Sequence, residues 1–232
     1  MIELVVFDMA GTTVEDGGQV ASAFRDALGQ QQVAVTEAEL RPWRGASKRQ
    51  VLRAFIEEKW GSQAAGNDQR VEDAYAAFRS SLEAGYAGAG VRAIPGAEAT
   101  FARLRAHGIK IALTTGFYRQ VADLILAQLG WDNGVIDASI CSDEVAQGRP
   151  APDMIYRAME STNVSDVKRV AKVGDTLLDL QAGQNAGVGL LVGVLSGSGV
   201  EAQLAGIERA RVVSSVADLP QLLAQATAAG TR

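Results

Sequence analysis

The chain has 232 residues, 47% of them hydrophobic and 21% charged, with a net charge of −5 at pH 7. That is the make-up of a globular protein long enough for one large domain or a domain with an insert, and without runs of like charge it argues against nucleic acid or an anionic membrane as partner. The single cysteine, Cys141, excludes an internal disulfide or a cysteine-based zinc site, and the single histidine, His107, sits in a polar stretch and reads as a surface residue. Hydrolytic chemistry is thereby confined to carboxylates, hydroxyls, lysine or a carboxylate-held cation. No apolar stretch approaches the roughly eighteen residues needed to cross a bilayer. The first strand begins at once, with no room for a leader, so a cytoplasmic location is expected.

In chain order, residues 2–7 read as a buried parallel strand, since four apolar residues run straight into Asp8. Gly11 permits a sharp turn, and the hydroxyls of Thr12 and Thr13 with the N–H groups of the turn make an anion cradle. From about Val20 to Tyr86 the apolar spacing is helical throughout, with a capping box at Thr36–Glu39, and the block ends in the small-residue link Gly85–Gly90. A βα rhythm follows: helix 97–107, strand 109–113, helix 120–129, strand 135–140, helix 152–162, strand 170–173, helix 177–186, strand 189–194 and a closing helix 219–228. This alternation predicts an α/β fold with a doubly wound, Rossmann-like parallel sheet. The N-terminal strand needs that sheet to pair with. The expected core is therefore 1–15 with 91–232, and 16–90 is an all-helical insertion.

Three further strand ends carry polar residues where the first carries Asp8. One ends in Thr114-Thr115-Gly116, one link places Arg149 just before a proline-marked helix, and one strand ends in Asp175 with Asp179 a helical turn later on the same face. Singly, each is compatible with an ordinary strand end. Together they converge on the crevice where ligands of open α/β sheets gather.

These residues resemble the four motifs of the haloacid dehalogenase superfamily: D-x-x-x-T at Asp8–Thr12, a hydroxyl at Thr114 or Thr115, a cation at Arg149 and G-D-x-x-x-D ending at Asp179. The helical insertion is similar to the cap domain of that superfamily. Ala10 in place of a second aspartate and arginine in place of lysine, with Gly11-Thr12-Thr13 and Gly148-Arg149-Pro150, are similar to the phosphonatase (phosphonoacetaldehyde hydrolase) family. That resemblance implies a cap lysine forming a Schiff base with the substrate carbonyl, and Lys48 stands at the matching place, flanked by Arg44 and Arg49. It implies Asp8 as the nucleophile forming an aspartyl-phosphate, and Mg²⁺ held by Asp8, Asp175 and the carbonyl of Ala10 with Asp179 behind them. It further implies phosphoryl contacts from Thr115 or Thr114, Gly11, Gly116 and Arg149, substrate contacts from Arg44 and Phe117, support of the nucleophile loop by Thr12, and a homodimer as one form of the protein.

The chemistry is coherent. A methyl group at Ala10 cannot protonate an alkoxide leaving group, whereas an imine on Lys48 accepts the electrons of a breaking C–P bond. The lysine must be neutral to attack, which partial burial or repulsion from Arg44 and Arg49 would favour; those arginines could equally steer a phosphonate. Val51, Gly18 and Phe117 stand where the best-known phosphonatases have histidine, cysteine and tyrosine, which points to a substituted 2-oxoalkylphosphonate. The alternatives are a phosphate-monoester hydrolase of the phosphoglycolate type and a non-catalytic binder of phosphorylated metabolites.

Overall fold

In the computed structural model, which describes residues 1–229, the chain forms two compact units, Met1–Glu15 with Val91–Arg232 and Asp16–Gly90. The first strand, β1 (Leu4–Asp8), is buried at every position, as a strand with apolar neighbours on both faces must be. After it the chain leaves for the second unit and returns beside its own exit: Glu15 N–H donates to the Arg92 carbonyl at 2.9 Å and Ile94 N–H to that of Thr13 at 2.9 Å.

The Asp16–Gly90 unit is helical: α1 (Gln19–Gln30), α2 (Glu37–Leu40), α3 (Lys48–Trp60) and α4 (Asn67–Ala89). Its core is the stripe that the 3–4 spacing predicts, with Phe24, Ala27 and Leu28 of α1, Val51, Leu52 and Ile56 of α3, and Val71, Phe78 and Leu82 of α4 buried. Phe24 and Phe78 meet with ring centroids 4.6 Å apart. The capping box opens α2: the Thr36 hydroxyl accepts the Glu39 N–H at 3.3 Å, and the Glu39 carboxylate accepts the Thr36 N–H at 2.8 Å.

The larger unit continues with α5 (Ala97–Ala106), β2 (Lys110–Thr115), α6 (Arg119–Leu129), β3 (Ala138–Cys141), α7 (Asp153–Ser161), β4 (Val170–Gly174), α8 (Leu177–Ala186), β5 (Leu190–Val194), α9 (Glu201–Ala205), β6 (Ala210–Val213) and α10 (Leu219–Ala229). The strands form one six-stranded sheet, every pairing parallel, in the order β3-β2-β1-β4-β5-β6. The sheet is the doubly wound α/β arrangement expected from the sequence. The order reverses at β1, so the crevice of such a sheet opens between the carboxyl ends of β1 and β4.

Register decides what faces what. Leu4, Val6 and Asp8 share a face with Lys110, Ala112 and Thr114 of β2, and Val6 is level with Lys172 of β4. This is the face that packs on Met154, Ile155 and Ala158 of α7 and Leu180 of α8. On the other face Phe7 meets Phe101 of α5 at 5.3 Å, and Phe101 meets Trp131 at 5.0 Å, both edge-on.

Two local readings are corrected. The strand expected at 135–140 is β3, Ala138–Cys141, because Asp137 marks the start of the ladder: its N–H donates to the Ile111 carbonyl at 2.8 Å and its carboxylate accepts the Ile111 N–H at 2.8 Å. The strand β6 and the short α9 had no counterpart in the sequence reading. A four-residue edge strand flanked by Arg209 and carrying Arg211 lacks the apolar run that marks its buried neighbours.

The helical unit has a core of its own, so it should open by itself. Phe78→Ala is expected to lower stability by about 3–5 kcal/mol. Hydrogen exchange should then accelerate in α1 and α4 while β1, β2 and β4 amides keep their protection. Equal acceleration in both units would contradict this.

Candidate active site

Asp8 ends β1 and Asp175 follows β4 directly, while Asp179 lies in the first turn of α8; all three are buried. One carboxylate oxygen from each lies within 4.8 Å of the others. Arg149 reaches the same place, its Nη1 2.7 Å from Asp8 Oδ1 and 2.5 Å from Asp179 Oδ1. Lys172, fully buried in β4, donates to Asp179 Oδ1 at 2.9 Å and to Thr114 Oγ1 at 3.1 Å. The other Asp179 oxygen accepts the Thr176 hydroxyl at 2.5 Å and N–H at 3.3 Å, the capping box that opens α8. Asp179 is thus held on both oxygens.

Asp175 is held on both as well. Oδ1 accepts the Thr12 hydroxyl at 3.3 Å, and Oδ2 accepts the Ser198 N–H at 2.7 Å and hydroxyl at 3.0 Å. Two glycines make room for it: a Cβ on Gly197 would collide with the carboxylate, and one on Gly11, whose φ is +86°, would stand 2.7 Å from Oδ2. The Ser196 hydroxyl donates to the Gly11 carbonyl at 2.8 Å, tying that loop to the turn after β1, and Thr13 donates to the Asp8 carbonyl at 2.9 Å.

The structure separates the two adjacent threonines. Thr114 accepts from Lys172 and donates to the Phe7 carbonyl at 3.3 Å, so its hydroxyl is fully engaged within the fold. Thr115, on the opposite face, accepts the Phe117 N–H at 3.1 Å and retains its own proton for another acceptor. Gly116 and Phe117 are buried beside it.

Burial and charge set the protonation states. Three carboxylates face two cations, leaving one negative charge in excess in a dry place. Burial, then the neighbouring Asp179, pushes Asp8 up to about 7. Burial and Asp179 also raise Asp175. For Asp179 burial works in the same upward direction, but Arg149 and Lys172 outweigh it and hold this carboxyl well below the usual range. The surplus proton therefore belongs on Asp8. Cys141 is buried and its thiol is pushed up to about 12, the state of an inert thiol.

Lys48 and Arg44 belong to the helical unit. Lys48 is the first residue of α3, half-buried, its Nζ 5.9 Å from the Phe24 ring centroid. Arg44 pairs with Glu37 at 3.4 Å and Asp16 at 3.8 Å, and Arg49 pairs with Glu72 and lies 4.1 Å from the Tyr75 ring centroid. Both arginines thus have carboxylates of their own. Val51 is in the core of this unit and Gly18 precedes α1 with φ of +82°. His107 is exposed, with Nδ1 2.8 Å from the Arg103 carbonyl.

The sequence reading missed Lys172 and Ser198. Lys172 was visible as a lone cation inside an apolar run, which in a buried strand demands a carboxylate partner. Ser198 stands in a serine-glycine loop that carries no comparable signal.

The family model for haloacid dehalogenase-like hydrolases matches residues 2–187. The chain belongs to this family. Within these hydrolases it is 33% identical over 208 residues to the phosphonoacetaldehyde hydrolase of Bacillus cereus, covering 85% of this chain and 77% of that protein. A solved phosphonoacetaldehyde hydrolase-like protein from Oleispira antarctica superposes with a TM-score of 0.82 at 25% identity, over 97% of this chain and 92% of that one. A solved hydrolase from Pseudomonas syringae shares the fold, with a TM-score of 0.83 at 22% identity over 96% and 98% of the two chains.

The raised Asp8 in this haloacid dehalogenase-like core has a consequence for stability. The folded state holds that proton more tightly than the unfolded chain, so Asp8 costs stability as the pH rises from about 4 to about 7. With a chelator present, wild type should lose a few kcal/mol relative to Asp8→Asn across this window in urea unfolding. A difference that does not vary with pH would contradict the assignment.

Proposed function

We propose that the protein is a Mg²⁺-dependent, phosphonatase-like hydrolase that cleaves the C–P bond of a 2-oxoalkylphosphonate. The observation that carries the reading is Ala10, two residues beyond the Asp8 carboxylate. A leaving alkoxide would find no acid there, whereas a carbon leaving group conjugated to an imine needs none. Similarity to the Bacillus cereus phosphonoacetaldehyde hydrolase supports the same choice.

The donor set fits a small divalent cation: hard oxygens and an uncompensated buried negative charge. Asp8, Asp175 and the Ala10 carbonyl would hold it. Asp179, whose Oδ1 is already paired with two cations, would orient Arg149 instead, whereas Asp175, among the described residues, accepts only from neutral N–H and hydroxyl groups and keeps its charge for the ion. Bound there, the ion screens the charge of the phosphonate from the attacking carboxylate.

The remaining steps belong to side chains. Lys48 adds to the substrate carbonyl and expels water, giving an imine that is protonated on nitrogen. Its place at the start of α3 suits this, because the positive end of the helix dipole disfavours an ammonium there. Asp8 Oδ attacks phosphorus in line as the C–P bond breaks, and the bonding pair flows into the iminium to give an enamine. Thr115 donates its hydroxyl proton to a phosphoryl oxygen. Arg149 offers Nε, which is buried without a hydrogen-bond partner, to another. The enamine is protonated at carbon and hydrolysed from Lys48, and water cleaves the aspartyl-phosphate to phosphate and Asp8. Gly11 and Thr12 keep the nucleophile loop in place. The helical unit acts as the cap, Phe117 borders the carbonyl side, and Arg44 braces the segment that carries Lys48.

Phosphate release should be fastest from 2-oxoalkylphosphonates in a panel that includes phosphate monoesters. Borohydride added with such a phosphonate should attach the substrate carbon skeleton to Lys48. Lys48→Ala should lose more than about 10²-fold in kcat/KM on phosphonates. Monoester turnover that is faster than phosphonate turnover and indifferent to Lys48→Ala would favour the phosphoglycolate-type reading and end this one.

A further inference from the structure

The mechanism above leaves one buried charge without a task. Lys172 stands in the middle of β4 with no exposed surface, in a strand whose other members are apolar or glycine. An ammonium in such a place is expensive unless fully paired. Its three donor directions are used on Asp179 Oδ1 at 2.9 Å, Thr114 Oγ1 at 3.1 Å and the Val173 carbonyl at 3.3 Å. None of these acceptors needs a full positive charge to hold the fold together. Thr114 and the carbonyl are neutral, and Asp179 already has Arg149 and Thr176.

The charge matters through the total. With Lys172 the cluster carries an excess of one negative charge, and a divalent ion turns this into an excess of one positive charge, a site that attracts an anion. Without Lys172 the ion-loaded cluster would be neutral. We propose that Lys172 is a positioning residue that makes the metal-loaded site electropositive and thereby able to hold a phosphoryl anion, while it weakens the hold on the metal. The two effects have opposite sign because one fixed charge repels the cation and attracts the anion. This inference rests on the phosphoryl-transfer reading of the site.

The test is binding to the full-length protein. Mg²⁺ affinity is measured by calorimetry, and inorganic phosphate affinity with Mg²⁺ present by thermal shift and calorimetry, for wild type, Lys172→Met and Lys172→Gln. Both variants should bind phosphate at least about tenfold more weakly and Mg²⁺ several-fold more tightly. A merely structural lysine would lower the melting temperature and leave both affinities of the folded protein as they were, which would overturn the proposal. Lys172→Gln keeps a donor for Asp179 and Thr114 without the charge, so phosphate binding retained in this variant would also overturn it. This variant decides the matter if Lys172→Met does not fold. Wild type that binds Mg²⁺ but no phosphate would instead refute the phosphoryl-transfer reading on which the inference stands.

Discussion

An uncompensated negative charge, buried where β1 and β4 end, is the constraint to which the rest of the core answers. Three carboxylates could not share that space without Arg149 and Lys172, and the two cations do not cancel them. The local sequence follows from the crowding. Gly11 and Gly197 leave room for Asp175, the capping box of α8 holds Asp179, and the Ser196–Ser198 loop ties Asp175 to the turn after β1. Each carboxylate is thus held by hydrogen bonds that favour its charged form, two or more on each of Asp175 and Asp179 but, among the described residues, only that from Arg149 on Asp8, where burial and the neighbouring Asp179 win. Such a site is costly to fold, and under the proposed function a cation and an anion complete it.

The helical unit contributes in a different way. Its core of Phe24, Phe78, Val51 and Leu52 is ordinary packing, and Val51 and Leu52 anchor the first turns of α3 in it. Arg44 and Arg49, which in the sequence stand beside Lys48 as candidate sources of repulsion, are each engaged by carboxylates of the same unit. Lys48 itself stands half-buried at a helix N-terminus, where the backbone dipole disfavours an added positive charge.

Much of this was readable in the chain. Asp8, Asp175 and Asp179 announce themselves because a buried parallel strand that ends in a carboxylate breaks its own pattern at the edge of the sheet, and four-residue spacing puts Asp179 one turn on. Arg149 was legible from the proline that marks the following helix. The choice between Thr114 and Thr115 was not legible, since adjacent strand residues face opposite sides and only the register of β2 against β1 says which one meets Lys172. Lys172 was passed over because its significance lies in a partner seven residues later in sequence, which only the turn from β4 into α8 brings back against it. The edge strand β6 was missed because edges need not be apolar.

The central claim is that the site is built around a negative charge that a divalent cation more than offsets, with the surplus proton held on Asp8 until the ion binds. Calorimetric titration of Mg²⁺ into the chelator-treated protein, in two buffers of different ionisation enthalpy, counts the protons released on binding. Near pH 6 the account predicts release of close to one proton per ion, declining towards none by about pH 8. Mg²⁺ binding without proton release across this range, or no binding at all, would contradict it.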